Sequence, residues 1–132
     1  MKLSNKGFTF PELLLAVTVL VITLAGLLTF FIQCVFLNET NRNLYIANSH
    51  AQFVLEDIKN TTFSSIMTNI DSGYWDWNTA TINSKGLTAL QNESIDTQGS
   101  GSELLDAIVT VTWQERNGRN RSSSLETLLG NS

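Results

Sequence analysis

Two residues near the amino terminus have types and positions that can do chemistry. Gly7 is followed by Phe8 and lies between a basic stretch containing Lys2 and Lys6 and a long apolar one. A glycine at that boundary offers an unhindered backbone to a protease at the cytoplasmic face, which makes Gly7–Phe8 a candidate cleavage site. Glu12 stands at the edge of the apolar stretch. A carboxylate in such a place is costly, on the order of 2.5–3.5 kcal/mol if it were at a bilayer centre, so it normally has a partner. Cleavage after Gly7 would create one, because the new amine of Phe8 lies about one helical turn from Glu12. Even without that partner, a glutamate at a helix start interacts favourably with the helix dipole.

The element that must position these residues is the apolar run itself. Leu13 to Leu37 is a stretch of 25 residues without a charge. As a helix it is roughly 37 Å long, and a bilayer's hydrocarbon core is about 30 Å thick, so the run can span it with some tilt. A secretory signal has a shorter apolar core and is cut after it, whereas the candidate cut here precedes the run. Lys2 and Lys6 keep the amino terminus in the cytoplasm and send the rest outward. Pro11, the only proline, is tolerated in a first helical turn because its missing N–H would be unsatisfied anyway. Within the run, Gly26 can either loosen the helix or permit close contact with another helix. Cys34, the only cysteine, cannot form an intramolecular disulfide and reads as a small apolar residue facing lipid or a neighbouring helix.

The segment Lys6-Gly7-Phe8-Thr9-Phe10-Pro11-Glu12, followed by Leu13-Leu14-Leu15-Ala16-Val17, resembles the leader junction of type IV prepilins and type II secretion pseudopilins. The resemblance implies that a prepilin peptidase cuts after Gly7 and methylates the amine of Phe8. It also implies that Glu12 is an assembly contact, pairing with the amine of its own chain or, as the family favours, of the subunit ahead in a filament. The partners implied are the peptidase, other pilin or pseudopilin subunits and an inner-membrane assembly platform. The expected location is the bacterial cytoplasmic membrane, single-pass with the amino terminus inside, and then an extracytoplasmic filament or pseudopilus. Many pilins carry a second proline in the apolar run and a cysteine pair near the carboxy terminus. This chain has neither, which points to a minor pilin or minor pseudopilin rather than a major subunit.

Residues 38–59 keep a helical repeat: Leu44, Ala47, Ala51, Val54, Leu55 and Ile58 recur at three- and four-residue spacings. The spacing predicts one long helix, apolar all round in its first half and amphipathic in its second, ending at Asn60-Thr61-Thr62. His50 reads as a partly exposed helix residue. Farther on, Asp106 to Glu115 alternates, with Ala107, Val109, Val111 and Trp113 on one face. Ser94 to Thr97 reads as a short strand, Asn117-Gly118 as a hairpin signal, and Arg121 to Leu129 as the returning strand. The expected fold is therefore α+β and pilin-like: a long amino-terminal helix packed on a small antiparallel β-sheet. Its parts are a leader over 1–7, a transmembrane or assembly half-helix over 8–37 and an exported head over 38–132. Within the head lie an amphipathic half-helix (38–60), an aromatic loop region (61–91) and a β-meander (92–132).

In the loop region, Phe63, Ile66, Met67 and Ile70 suggest a short amphipathic turn. Asp71-Ser72-Gly73-Tyr74-Trp75-Asp76-Trp77-Asn78 holds three aromatics and two acids. Tyr74, Trp75 and Trp77 form either a binding loop or a loop folded down by its own tryptophans. Asp71, Asp76 and the more distant Asp96 supply carboxylates for calcium, but not at the spacing of a calcium loop.

The formal charge is −4, and loss of Lys2 and Lys6 with the leader takes it to −6. Arg116, Arg119 and Arg121 form a local cluster at a turn, and no direct nucleic-acid contact is expected. Four Asn-x-Ser/Thr triplets, beginning at Asn38, Asn60, Asn92 and Asn120, arise easily in so Ser/Thr/Asn-rich a chain and receive no role. There is no nucleophile–base spacing, metal-ligand spacing or phosphate loop. The expectation is a structural filament subunit without cofactor or metal, not an enzyme. The alternative is a membrane-tethered binding protein that uses the Tyr74–Trp77 loop.

Overall fold

The computed structural model describes Gly7 and residues 9–130. Contacts divide the chain into two units, Met1–Glu39 and Thr40–Ser132. Helix α1, Phe10–Lys59, begins in the first and continues into the second. In the first unit the helix is apolar on every side and its large side chains are exposed. It is long and apolar enough to cross a bilayer, and none of its apolar window is buried. The helix passes through Gly26 without interruption. Thr18, Thr23 and Thr29 turn their hydroxyls back onto the carbonyls of Leu14, Leu20 and Ala25, at 2.8, 2.8 and 2.9 Å. Each hydroxyl is thereby satisfied within the helix, as an apolar surrounding requires.

The second unit is an α+β fold in which the rest of α1 packs on a four-stranded antiparallel sheet of order β1-β2-β3-β4. Its strands are β1 Trp77–Asn78, β2 Ser94–Ser100, β3 Leu104–Gln114 and β4 Asn120–Gly130. The helix buries Ala47, His50, Ala51, Val54, Leu55 and Ile58, a stripe at three- and four-residue spacing. Leu44, expected at its start, is instead 40% exposed. The stripe begins at Ala47, and the wholly buried Ala47 and Ala51 are small enough for close approach to the sheet.

Strand β3 carries the alternation expected of it. Leu105, Ala107, Val109, Val111 and Trp113 are buried, and the residues between them face outward. The outer face is polar, with the hydroxyls of Ser94 and Thr112 paired at 2.7 Å and those of Thr110 and Ser124 at 3.0 Å. An antiparallel sheet with one packed and one solvated face has this pattern. β2 extends to Ser100, three residues past the expected end, because its ladder with β3 continues to Ser100↔Asp106.

Asn117-Gly118 does sit in the β3–β4 hairpin, but not as a two-residue turn. Only Gly118 has positive φ, at 81°. The Glu115 N–H donates to the Arg119 carbonyl and the Gly118 N–H to the Glu115 carbonyl, both at 2.8 Å. This is a three-residue loop whose last member takes the left-handed conformation.

Residues 61–91 are more ordered than a loop region. The expected amphipathic turn is helix α2, Phe63–Asp71, which buries Ile66 and Ile70. Trp77 and Asn78 form β1, and helix α3, Thr79–Ser84, follows with the Asn78 side chain accepting the Thr81 N–H at 2.9 Å. β1 and α3 are too short to leave a periodic signal.

Gly101, between β2 and β3, has φ of 104°, and a Cβ there would lie 2.0 Å from the Leu104 carbonyl oxygen. Because the obstacle is backbone, Gly101→Ala should destabilise the second unit by about 1–3 kcal/mol. Thermal unfolding of the full chain in detergent, followed by tryptophan fluorescence, checks this. An unchanged midpoint would show that the turn relaxes freely.

Candidate assembly site and buried anchors

Thr9 and Glu12 shape the start of α1. The Thr9 carbonyl accepts the N–H groups of Glu12 and Leu13 at 3.0 and 3.1 Å. In return Glu12 Oε2 accepts from the Thr9 N–H and from its hydroxyl, each at 3.3 Å. The spacing Thr-x-x-Glu is that of a capping box, in which the glutamate reaches back to satisfy an orphan donor ahead of the helix. Pro11 occupies the first turn, where no N–H is needed. Gly7 is exposed, with open space where a side chain would be. Phe8, its amine and the leader lysines Lys2 and Lys6 lie outside the described residues. The structure thus places Glu12 at the helix start, exposed and turned toward the chain that precedes it.

Trp75 and Trp77 are not a binding surface. Trp75 is fully buried, and its Nε1 donates to Asp57 Oδ2 at 2.7 Å. Trp77 is 3% exposed, donates through Nε1 to the Tyr74 carbonyl at 3.2 Å and lies 6.0 Å from Phe53. Lys85 Nζ stands 4.4 Å from the centre of the Trp77 ring. Indoles bury about 150–250 Å² each, and at about 25 cal/mol per Å² that outweighs exposing them for a partner. Of the three aromatics in the expected loop, Tyr74 alone is exposed, edge-on to Trp75 at 5.4 Å.

The acids near this loop do not gather. Asp76 Oδ1 accepts the Thr97 N–H at 2.9 Å, and Asp96 Oδ2 accepts from Gln98 Nε2 at 3.0 Å. Among the described residues no three His, Cys, Asp or Glu side chains converge as a metal site would need.

His50, expected to be partly exposed, is buried at 4%. It follows Ala47 by three residues and precedes Val54 by four, so it falls inside the apolar stripe. Its Nδ1 lies 2.7 Å from Glu93 Oε1. The other carboxylate oxygen, Glu93 Oε2, accepts the Leu90 N–H at 2.6 Å, and the Glu93 carbonyl accepts the Thr79 hydroxyl at 3.0 Å. Glu93 itself is 2% exposed. It was invisible in the sequence, because nothing local marks a glutamate before a strand as buried. Asn92 beside it is the only non-glycine residue with positive φ among those described, at 50°, and turns the chain so that Glu93 points inward. Asparagine tolerates that conformation better than most residues.

No family model, curated protein or solved structure matches this chain. What can be said of its role therefore rests on its own residues.

Removing one member of a buried pair leaves the other uncompensated, at about 3–5 kcal/mol when both are charged and about 1–3 kcal/mol when they are not. Glu93→Ala and His50→Ala should each lower stability within that range, and the double variant should lose less than the sum. A double-mutant cycle in urea measures this, and strict additivity would show the two side chains to be uncoupled.

Proposed function

We propose that this chain is a minor pilin-like or pseudopilin-like subunit, cut after Gly7 and assembled into a filament through the exposed apolar half of α1. One observation carries the reading. A single helix is apolar and uncovered in its first part and buries a stripe in its second. The uncovered part requires apolar surroundings on all sides, which lipid supplies before assembly and other such helices supply after it.

The Thr9–Glu12 contact supports the chemistry proposed at the tip. Consecutive backbone nitrogens are at most about 3.8 Å apart, and the Thr9 nitrogen is 3.3 Å from Glu12 Oε2. An amine created at Phe8 would therefore lie within about 7 Å of the carboxylate by covalent reach alone. Glu12 can pair with it directly or with the corresponding amine of another subunit. In this reading prepilin peptidase cleaves at Gly7–Phe8 and methylates Phe8, and the assembly platform draws the subunit from the inner membrane. The second unit, from Thr40, is exported. A tethered binding protein is the weaker reading, since Tyr74 is the one exposed aromatic of its loop.

Mass spectrometry of the mature amino terminus should find N-methylated Phe8, and an intact Met1 on exported protein would overturn the proposal. Glu12→Ala should leave cleavage intact and reduce incorporation into filaments at least about tenfold, the equivalent of a lost ion pair of about 1.4 kcal/mol. Immunoblotting of sheared filaments against the membrane fraction measures it, and normal incorporation would remove Glu12 from the assembly contact.

A further inference from the structure

All four arginines of the chain, Arg42, Arg116, Arg119 and Arg121, lie at one end of the second unit. Two ties set the direction of its strands against α1. His50 meets Glu93, just before β2 begins, and Asp57 meets Trp75, whose neighbour Asp76 holds the Thr97 N–H farther along β2. β2 therefore runs with the helix, β3 against it and β4 with it. Ser123 of β4 donates to Asn48 Oδ1 at 2.6 Å. From Ser123 back to Arg119 is about 13 Å of strand, and from Asn48 back to Thr40 is about 12 Å of helix. The β3–β4 hairpin tip thus lies level with the start of the unit, at about the height of Arg42.

Arg42, Arg116 and Arg119 are exposed, and among the described residues none has a carboxylate within 4.0 Å. Arg121 reaches the nearly buried Glu115 at 3.3 Å and remains 45% exposed itself. Glu39 is the other acid nearby in sequence. Tyr45, one turn beyond Arg42, is 76% exposed. Arg42 and Tyr45 also border a depression of about 340 Å³ that Ser49 and His50 help to line. Among the described residues the His50 ring makes its one hydrogen bond through Nδ1, and Nε2 has no partner there.

We infer that this end of the second unit is a docking surface for anionic phospholipid headgroups. The inference rests on the membrane residence proposed above. Thr40 is three residues past Leu37, the last residue of the apolar run, and three residues span at most about 10 Å. If the run lies in a bilayer, covalent reach alone keeps Thr40, and with it the start of the unit, in or beside the headgroup layer. Guanidinium groups bind phosphate through paired N–H donors, and tyrosine favours the same interfacial zone. The charge is concentrated against the grain of the chain, whose net charge is −4. The arginine end is therefore drawn to an anionic surface and the rest of the unit is held off it.

The test uses the full chain reconstituted into vesicles of phosphatidylcholine alone or with about one-third phosphatidylglycerol. Flotation reports insertion, and amide hydrogen exchange reports the hairpin tip at 116–119. The expected result is exchange slowed about fivefold or more in the anionic vesicles, reversed by high salt and abolished by Arg116→Gln with Arg119→Gln. The double variant is surface-exposed and should unfold at the parent temperature, which separates lost binding from lost structure. Flotation with equal exchange in both vesicles overturns the headgroup contact alone. Slowing that follows protein density rather than phosphatidylglycerol overturns it in favour of a neighbouring subunit. Failure to float overturns both the contact and the membrane residence beneath it.

Discussion

Glu93 is the carboxylate on which three segments of the second unit converge. Its two oxygens hold His50 of α1 and the Leu90 N–H, and its own carbonyl holds Thr79 at the start of α3. Burying such a group is expensive unless each lone pair has a donor. The geometry therefore admits little slippage: α1, the turn before β2 and the β1–α3 segment must arrive together. A well-satisfied polar cluster of this kind specifies an arrangement as much as it stabilises one. It complements the apolar contacts, which hold the helix to the sheet without fixing its height.

The second anchor works in the same way at another level. Trp75 reaches Asp57 from a fully buried position, and Asp76 next to it caps the backbone of Thr97. The aromatic segment thus ties the last turn of α1 to the edge strand β1 and to β2. Between them, the two anchors set the direction of every strand relative to the helix. That direction carries the β3–β4 hairpin, with its arginines, back to the start of the unit.

Helix α1 has two solvents to satisfy. From Leu13 to Leu37 it has neither an amphipathic face nor a charge, and Thr18, Thr23 and Thr29 bond only to their own helix. From Ala47 it needs a protein partner. No proline or break separates these regimes. The capping contact between Thr9 and Glu12 is formed before any partner subunit is present, so Glu12 is already oriented when its proposed partner appears.

The sequence by itself determined what depends on local pattern. The charge-free run, the amphipathic continuation, the alternation in β3 and the hairpin at Asn117-Gly118 were all legible, because periodicities of 3.6 and 2 residues are properties of neighbours in the chain. The candidate cleavage and assembly residues Gly7 and Glu12 were picked out by their place between the basic leader and the apolar run, and Phe8 lies outside what the structure describes. Tertiary structure alone decided the rest. It made Trp75 and Trp77 core anchors rather than a binding loop and withdrew His50 from solvent. It also drew Glu93 into the interior and brought Arg42 level with a hairpin more than seventy residues away. Each of these depends on contacts between distant segments, whose geometry follows from packing the whole unit and leaves no periodic trace in the sequence.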